Sequence, residues 1–513
     1  MARMGARRWM RRVAWLTRQV TGPRPARRRR SNRQTVGNRR LAGRANSRPT
    51  ATVADVKGRT MRRRAGRAAV GAALTVAVLA GAATAAVLVG WGPTGGDGRR
   101  AAGDSAAASG RSADPAAQVG RQIDALTARL RTLPGDWPGW AALGAAYVEQ
   151  ARVTGDPTSY PRAENAFAQS LRVHPGGNDL ALAGQASLAA ARHDFPAALR
   201  LADAAIAVNE FSAPAQGVRA DALVELGRYP EAWQAVQRMV DLRPDVSSLA
   251  RASYAFELRG EVEPARQTLR RLLVDATSPA DAAFAWLHLG ELARDTGDLA
   301  GADDAYRRGL AADPVSAPLL AGRARVAAAR GQTDAALADY RAAVGRSPQP
   351  ALVIEYGELL ESLGRLPEAQ EQYTLARATA ALFRAQGVDV DVELALFEAD
   401  HGDPAAALAA LTPAQPRRAG VFVDDAHAWA LHRLGRDGEA LGYARSAVAL
   451  GTPRALFRYH VGVIEAALGQ RDAAVVDLRA ALDLDPHFSP LQAPRATALL
   501  ASLDDPRPTG GDR

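Results

Sequence analysis

The sequence predicts an all-α protein built as a solenoid of about ten helix–turn–helix units, and three observations point there. Turn-forming glycines, each followed by a small packing residue and usually by a proline, recur at a period near 34 residues between about 137 and 488. Alanine dominates the composition while aromatics make up only 5%, and alanine has the best intrinsic helix propensity. Within each period the apolar residues stand three and four apart, the spacing of one helical face.

The N-terminal end is different in kind. The 513 residues carry a net charge of +11, but that charge is unevenly placed. Residues 1–67 hold 22 Arg and Lys against one acid, Asp55, and the remainder holds 43 basic and 53 acidic residues. The large part of the chain is therefore mildly acidic and lacks the electrostatic footprint of phosphate-backbone binding. Residues 1–60 read as a disordered basic arm, suited to anionic lipid or nucleic acid. The alternative is a start assigned too far upstream, because Met61 is followed at once by Arg62, Arg63, Arg64 and Arg67, the positive opening of an export signal.

Residues 61–92 are expected to form a signal anchor. From Ala68 to Trp91 there are 24 residues without a charge, and about 20 apolar residues span a bilayer. Arginines precede the segment and Asp97 is the first charge after it, so the positive-inside rule leaves the N-terminus cytoplasmic and the body extracytoplasmic. Ala83-Thr84-Ala85 has the small-x-small pattern of a signal-peptidase site, so secretion after cleavage near Ala85 is the alternative. Residues 93–115, rich in Gly, Ser, Ala and Asp, read as a flexible linker.

The repeats follow, expected over 116–505 with a polar tail at 506–513. Gln118–Leu133 places Ile123, Leu126 and Leu130 at helical spacing, as a cap on the first unit. The clearest copy runs from Ala283 to Pro314. Trp286, Leu289 and Ala293 mark one stripe of its first helix, Gly290 and Ala302 are small contact positions, Gly297-Asp298 is the turn, Tyr306 packs, and Pro314 stops the second helix. Other turns fall at Gly227, Gly260, Gly331, Gly364, Gly402, Gly435 and Gly469, with His193-Asp194 in the equivalent place. The first copy, from Trp140 to Pro175, has about seven extra residues in its turn around Thr154–Pro161. Pro494–Leu503 is expected to form a closing, solvating helix.

Position by position, the copy at 283–314 resembles the tetratricopeptide repeat (TPR) pattern of Trp, Leu-Gly, Tyr, Ala, Phe and Pro. The resemblance implies a right-handed superhelical solenoid whose concave groove is lined by the first helix of each unit. In this register the groove candidates are Tyr254, Phe284, Glu291, Arg294, Glu358, Glu361, Phe422, Asp425, Trp429 and Tyr459. Aromatic and charged anchors there would hold an extended peptide or a helix. Some of these aromatics could equally fill contacts between units. The Lys/Asn clamp of TPR co-chaperones is missing, since its positions carry Ala141 and Ala145, then Ala183 and Ser187.

Catalytic readings find little support. The chain has no cysteine, and its only lysine, Lys57, lies in the arm, which removes thiol nucleophiles, Cys-based zinc sites, and Schiff-base or P-loop lysines from the body. His427 and His432 are five apart, not the i,i+4 spacing that sets two ligands on one helical face. Arm, anchor, linker and repeats leave no stretch of catalytic-domain size. No catalytic residue, cofactor or metal site is expected, and the expected function is a membrane-tethered scaffold for a protein or peptide. A narrower resemblance covers IDALTARLRTLPGDWPGWAALGAAYV, which is similar to the opening of the TPR part of cytochrome c maturation assembly factors. The remaining alternative is a cytoplasmic regulator whose basic arm meets nucleic acid.

Overall fold

The computed structural model describes residues 115–414 and 418–504. The readings of the arm at 1–60, the anchor at 61–92 and the tail at 506–513 fall outside those residues, as does the linker at 93–115 except for Pro115, which is helical rather than linker. By its internal contacts the chain divides after Leu74, and everything below belongs to the second part. Among the described residues there are 22 α-helices and one 3-10 turn, and no helix is long and apolar enough to cross a membrane.

Ten antiparallel helix pairs follow one another. They span 137–173, 179–208, 213–242, 246–275, 279–312, 317–346, 350–385, 391–414, 421–448 and 455–484, here units 1 to 10 with helices A and B. The entry helix, Pro115–Thr132, begins three residues before the expected cap, because a proline lacking an N–H fits a first helical turn. The terminal helix, Gln492–Asp504, also begins early. The Ser489 hydroxyl accepts from the Leu491 and Gln492 amides and starts it there. In unit 1 the insertion forms the 3-10 turn Pro157–Ser159, and helix B begins at Tyr160.

Two local devices make the pairs. At the A–B turn of every unit but the eighth, where Gly402 has φ −143°, the chain passes through a left-handed residue. Gly260 (φ 69°) and Gly297 (φ 77°) do this at no steric cost, and His193 does it at φ 60° as the only non-glycine among the described residues. Between the helices, an aromatic ring of helix B enters a notch of small residues. Phe167 fits between Gly144 and Gly184, and Tyr306 between Gly290 and Gly322, so closely that an added Cβ at any of the four would collide with the ring. Both rings are fully buried. Each joins its own unit to the next.

From unit to unit the A helices pack on one another, while B helices pack mainly between the A helices on either side. That asymmetry puts the A helices on the inner side of the curve. The curve then returns onto itself. His193 Nδ1 lies 2.5 Å from the Asp389 carbonyl, and the Ala419 amide donates to the Glu225 carbonyl at 2.7 Å. The Tyr229 hydroxyl accepts from the Val421 amide, and the Thr452 hydroxyl donates to the Leu258 carbonyl. These partners are 192 to 196 residues apart. A–B turns of units 2 to 5 thus seat on the loops that follow units 7 to 10, and one superhelical turn takes about six units.

The seam contains buried charge as well as backbone. Arg418 Nε donates to Glu225 at 2.7 Å with both side chains about nine-tenths buried. Arg454 meets Glu257 and Asp295 from across the seam at 3.3 and 2.9 Å.

Candidate protein-binding face

The inner face is carried by the A helices of units 4 to 10, and the sequence-derived candidates divide there into three groups. Glu291 and Arg294 belong to a chain of ion pairs. Arg325 donates twice to Glu291, at 2.9 and 2.7 Å, and the Tyr306 hydroxyl donates to it at 2.7 Å. Arg294 reaches Glu291 and Asp295, and approaches Asp485 across the seam at 3.9 Å. Burial opposes charge on Glu291, but the two guanidiniums prevail and hold its carboxyl well below the usual range.

A second group packs inward. Asp425, Trp429 and Tyr459 are buried, at 1%, 3% and 4% exposure, which corrects their placement on an open groove. Asp425 holds His460 at 2.8 Å, Trp429 stacks on that imidazole at 4.0 Å, and the Trp429 indole donates to Asp400. They fill the contact between units 8, 9 and 10, the alternative open to these aromatics from the start. Phe422 is half-buried and meets the edge of Phe457 at 5.3 Å. Tyr254 and Phe284 face each other across a cavity of about 10 Å³ with Glu257 and His288. Burial pushes Glu257 up to about 7 against the pull of Arg454, and pushes His288 down to about 4.

The third group, Glu358 and Glu361 of helix Pro350–Ser362, borders open space. Together with Asp400, His401, Arg433, Leu491, Gln492 and Arg495 they line a recess of about 340 Å³. His401 bridges the two carboxylates, Nε2 to Glu358 at 3.3 Å and Nδ1 to Glu361 at 3.4 Å. Gln492 donates to Asp400 at 2.8 Å and so brings the terminal helix onto units 7 to 9.

Sequence reasoning missed His401, Arg433, Gln492 and Arg495. Arg325 and Glu257 were recoverable, because Arg325 repeats the position of Glu291 one unit on and Glu257 that of Arg294 one unit back. Nothing in the repeat register marks the terminal helix as part of this face. Among the described residues no group of three or more His, Asp and Glu side chains is arranged to hold a metal ion.

Two tetratricopeptide repeat models match the sequence, one at 183–247 and 322–382 and the other at 285–316 and 456–488. The matched segments fall on units 2–3, 6–7, 5 and 10. The chain carries tetratricopeptide repeats. Among solved structures, the TPR body is similar to a chain in the crystal structure of the APC/C hetero-tetramer Cut9–Hcn1. That match has 16% identity over 76% of this chain and 82% of the other, with a TM-score of 0.36. It is also similar to a tetratricopeptide repeat protein from Parabacteroides merdae, with 18% identity over 51% of this chain and 99% of the other and a TM-score of 0.28. No curated protein matches the sequence.

Proposed function

We propose that this protein is a non-catalytic TPR scaffold that receives a protein or peptide partner on the inner face of units 7 to 9. The observation that carries the reading is the recess. Elsewhere on the inner face the predicted anchors are consumed by internal ion pairs or packing, whereas Glu358 and Glu361 stand at an open, polar-walled space beside exposed Arg495. Polar groups poised at a concave surface give a partner orientation and specificity. Residues 68–91 hold the scaffold at a membrane with the TPR body on the extracytoplasmic side, a reading supported by the charge-free run and by the arginines before it.

Two measurements test this. A photo-crosslinking residue placed at Leu491, on the recess, is expected to give a discrete adduct in cells, while one at Val476, 66% exposed on helix B of unit 10, gives none. Equal labelling from both positions would remove the inner face as the binding surface. For location, a tag at Arg513 is followed by fractionation and external protease. Digestion of a membrane-bound tag is the expected result. A shorter soluble form points to cleavage near Ala85, and a full-length soluble cytoplasmic protein overturns the tether in favour of the basic-arm regulator.

A further inference from the structure

The acids of the inner face are not balanced alike. Glu257, Glu291 and Asp295 each meet an arginine within the protein, as do Glu398 and Glu465 elsewhere. Glu358 and Glu361 do not. Among the described residues their side-chain partners are His401 and, for Glu361, the hydroxyl of Tyr373. Two carboxylates therefore converge on one imidazole without a permanent cation, at the wall of a 340 Å³ recess.

A second, independent observation concerns Gln492. It lines the same recess at 8% exposure, its amide nitrogen is committed to Asp400, and its Oε1 has no hydrogen-bond partner. A buried acceptor without a donor costs free energy until something supplies one. The buried side-chain atom left without a partner in this lining is thus an acceptor, Gln492 Oε1, while of the two arginines that also line the recess Arg433 donates to the Ala399 carbonyl and lies 3.7 Å from Asp400. Beside them Leu491 offers an apolar wall to an aliphatic stem.

We propose that the recess is a subsite for the guanidinium group of an arginine presented by an extended basic segment of the partner. A guanidinium carries five donors in a planar fork and can serve two separated carboxylates and an amide oxygen together; an ammonium is a compact point charge with three. Arg495 sits at the recess with no ion pair or hydrogen bond among the described residues and adds a like charge at its mouth. Its removal therefore favours the ligand. The inference deepens the scaffold reading and rests on it.

The test uses the full-length protein in detergent and the labelled pentapeptide acetyl-Ala-Ala-Arg-Ala-Ala-amide, with citrulline, lysine and aspartate counterparts. Citrulline keeps the shape of arginine and loses the charge. The arginine peptide is expected to bind at least tenfold tighter than the citrulline peptide. Glu358→Gln and Glu361→Gln each abolish that preference, and Arg495→Ala preserves or strengthens binding. Equal binding of arginine and citrulline peptides to the wild-type protein overturns the subsite, and that comparison requires no variant to fold. Retained preference in both glutamine variants overturns it too, as does preference for the aspartate peptide or no binding by any peptide. In each of those cases an adduct from Leu491 in cells would leave the scaffold reading standing, so the two failures are distinguishable.

Discussion

The seam between superhelical turns can be isolated by substituting turn glycines that differ only in what lies beyond them. Gly260 and Gly331 occupy the same place in units 4 and 6, at φ 69° and 71°. A Cβ at Gly331 meets open space, whereas one at Gly260 would run into the carbonyl oxygen of Gly451 across the seam. Both Gly→Ala changes incur the left-handed penalty, about 1–2 kcal/mol. Gly260→Ala adds an overpacking cost of about 1–3 kcal/mol, because its neighbour is backbone and cannot swing aside. Gly297, where a Cβ would lie 2.9 Å from the Leu484 carbonyl oxygen, should fall between them. Denaturant melts of the three variants, with hydrogen exchange read at 449–454 and 484–488, provide the assay. The expected order of destabilisation is Gly260→Ala, then Gly297→Ala, then Gly331→Ala, with faster exchange across the seam only in the first two. Equal destabilisation by Gly260→Ala and Gly331→Ala, with unchanged exchange at 449–454, would refute the packing of one superhelical turn on the next.

Other perturbations read the charges of the inner face. Glu291→Ala leaves Arg325 and Arg294 short of their shared acceptor and should cost about 3 kcal/mol, measured by urea unfolding. Because the folded-state pKa of Glu291 is depressed, its contribution is present above the unfolded carboxyl range and is lost as pH falls through the folded value. Glu291→Gln should therefore flatten the acid limb of the stability profile. Glu257 has the opposite sign. Raised from 4.5 to about 7, it contributes most below the unfolded value and loses that contribution as pH rises through 7, on the order of 3 kcal/mol in total. Glu257→Gln should thus gain on the wild type in urea midpoint between pH 5 and pH 8, and a constant difference would count against the burial of a charge there. Trp429→Ala should cost about 3–5 kcal/mol and increase exchange in units 9 and 10. A variant that folds as the wild type would show that its stacking on His460 is not structural.

The repeat was legible because it is local physics written ten times. A left-handed turn residue recurs in every unit but the eighth, and a small notch residue meets a large helix-B side chain, Phe167, Tyr306 or Tyr373 in some units and Met239 or Leu478 in others, so the register survives a weak copy. His193 shows this: it carries the turn conformation without being glycine, yet Asp194 caps the following helix through the Ala197 amide. The helix boundaries at either end were less legible. Pro115 and Ser489 start their helices early through a missing donor and a hydroxyl acceptor, choices that an apolar periodicity does not report.

The candidate face was legible only in part, and the reason is geometric. Repeat register assigns a side chain to the inner side of its own unit, but whether that side is open depends on superhelical pitch, which sums small rotations over about six units. Glu291, Arg294 and Trp429 were placed correctly on A helices, yet Arg454 and Asp485 come from the next superhelical turn to the Arg294 network, and Asp400 from the unit before to Trp429. A pattern with a period of 34 residues contains no information about partners some 195 residues away. The same return of the chain leaves Glu358 and Glu361, at the open recess, without an arginine partner. Among the described residues the seam joins the turns of units 2 to 5 to the loops after units 7 to 10, so no later turn among them brings unit 7 the cation that Arg454 brings to unit 4. What unit 7 receives instead is the terminal helix, whose Gln492 spends its donor on Asp400 and leaves an acceptor. The terminal helix thereby sets an unpartnered acceptor beside two carboxylates that no arginine bonds, and the arginine subsite rests on that juxtaposition.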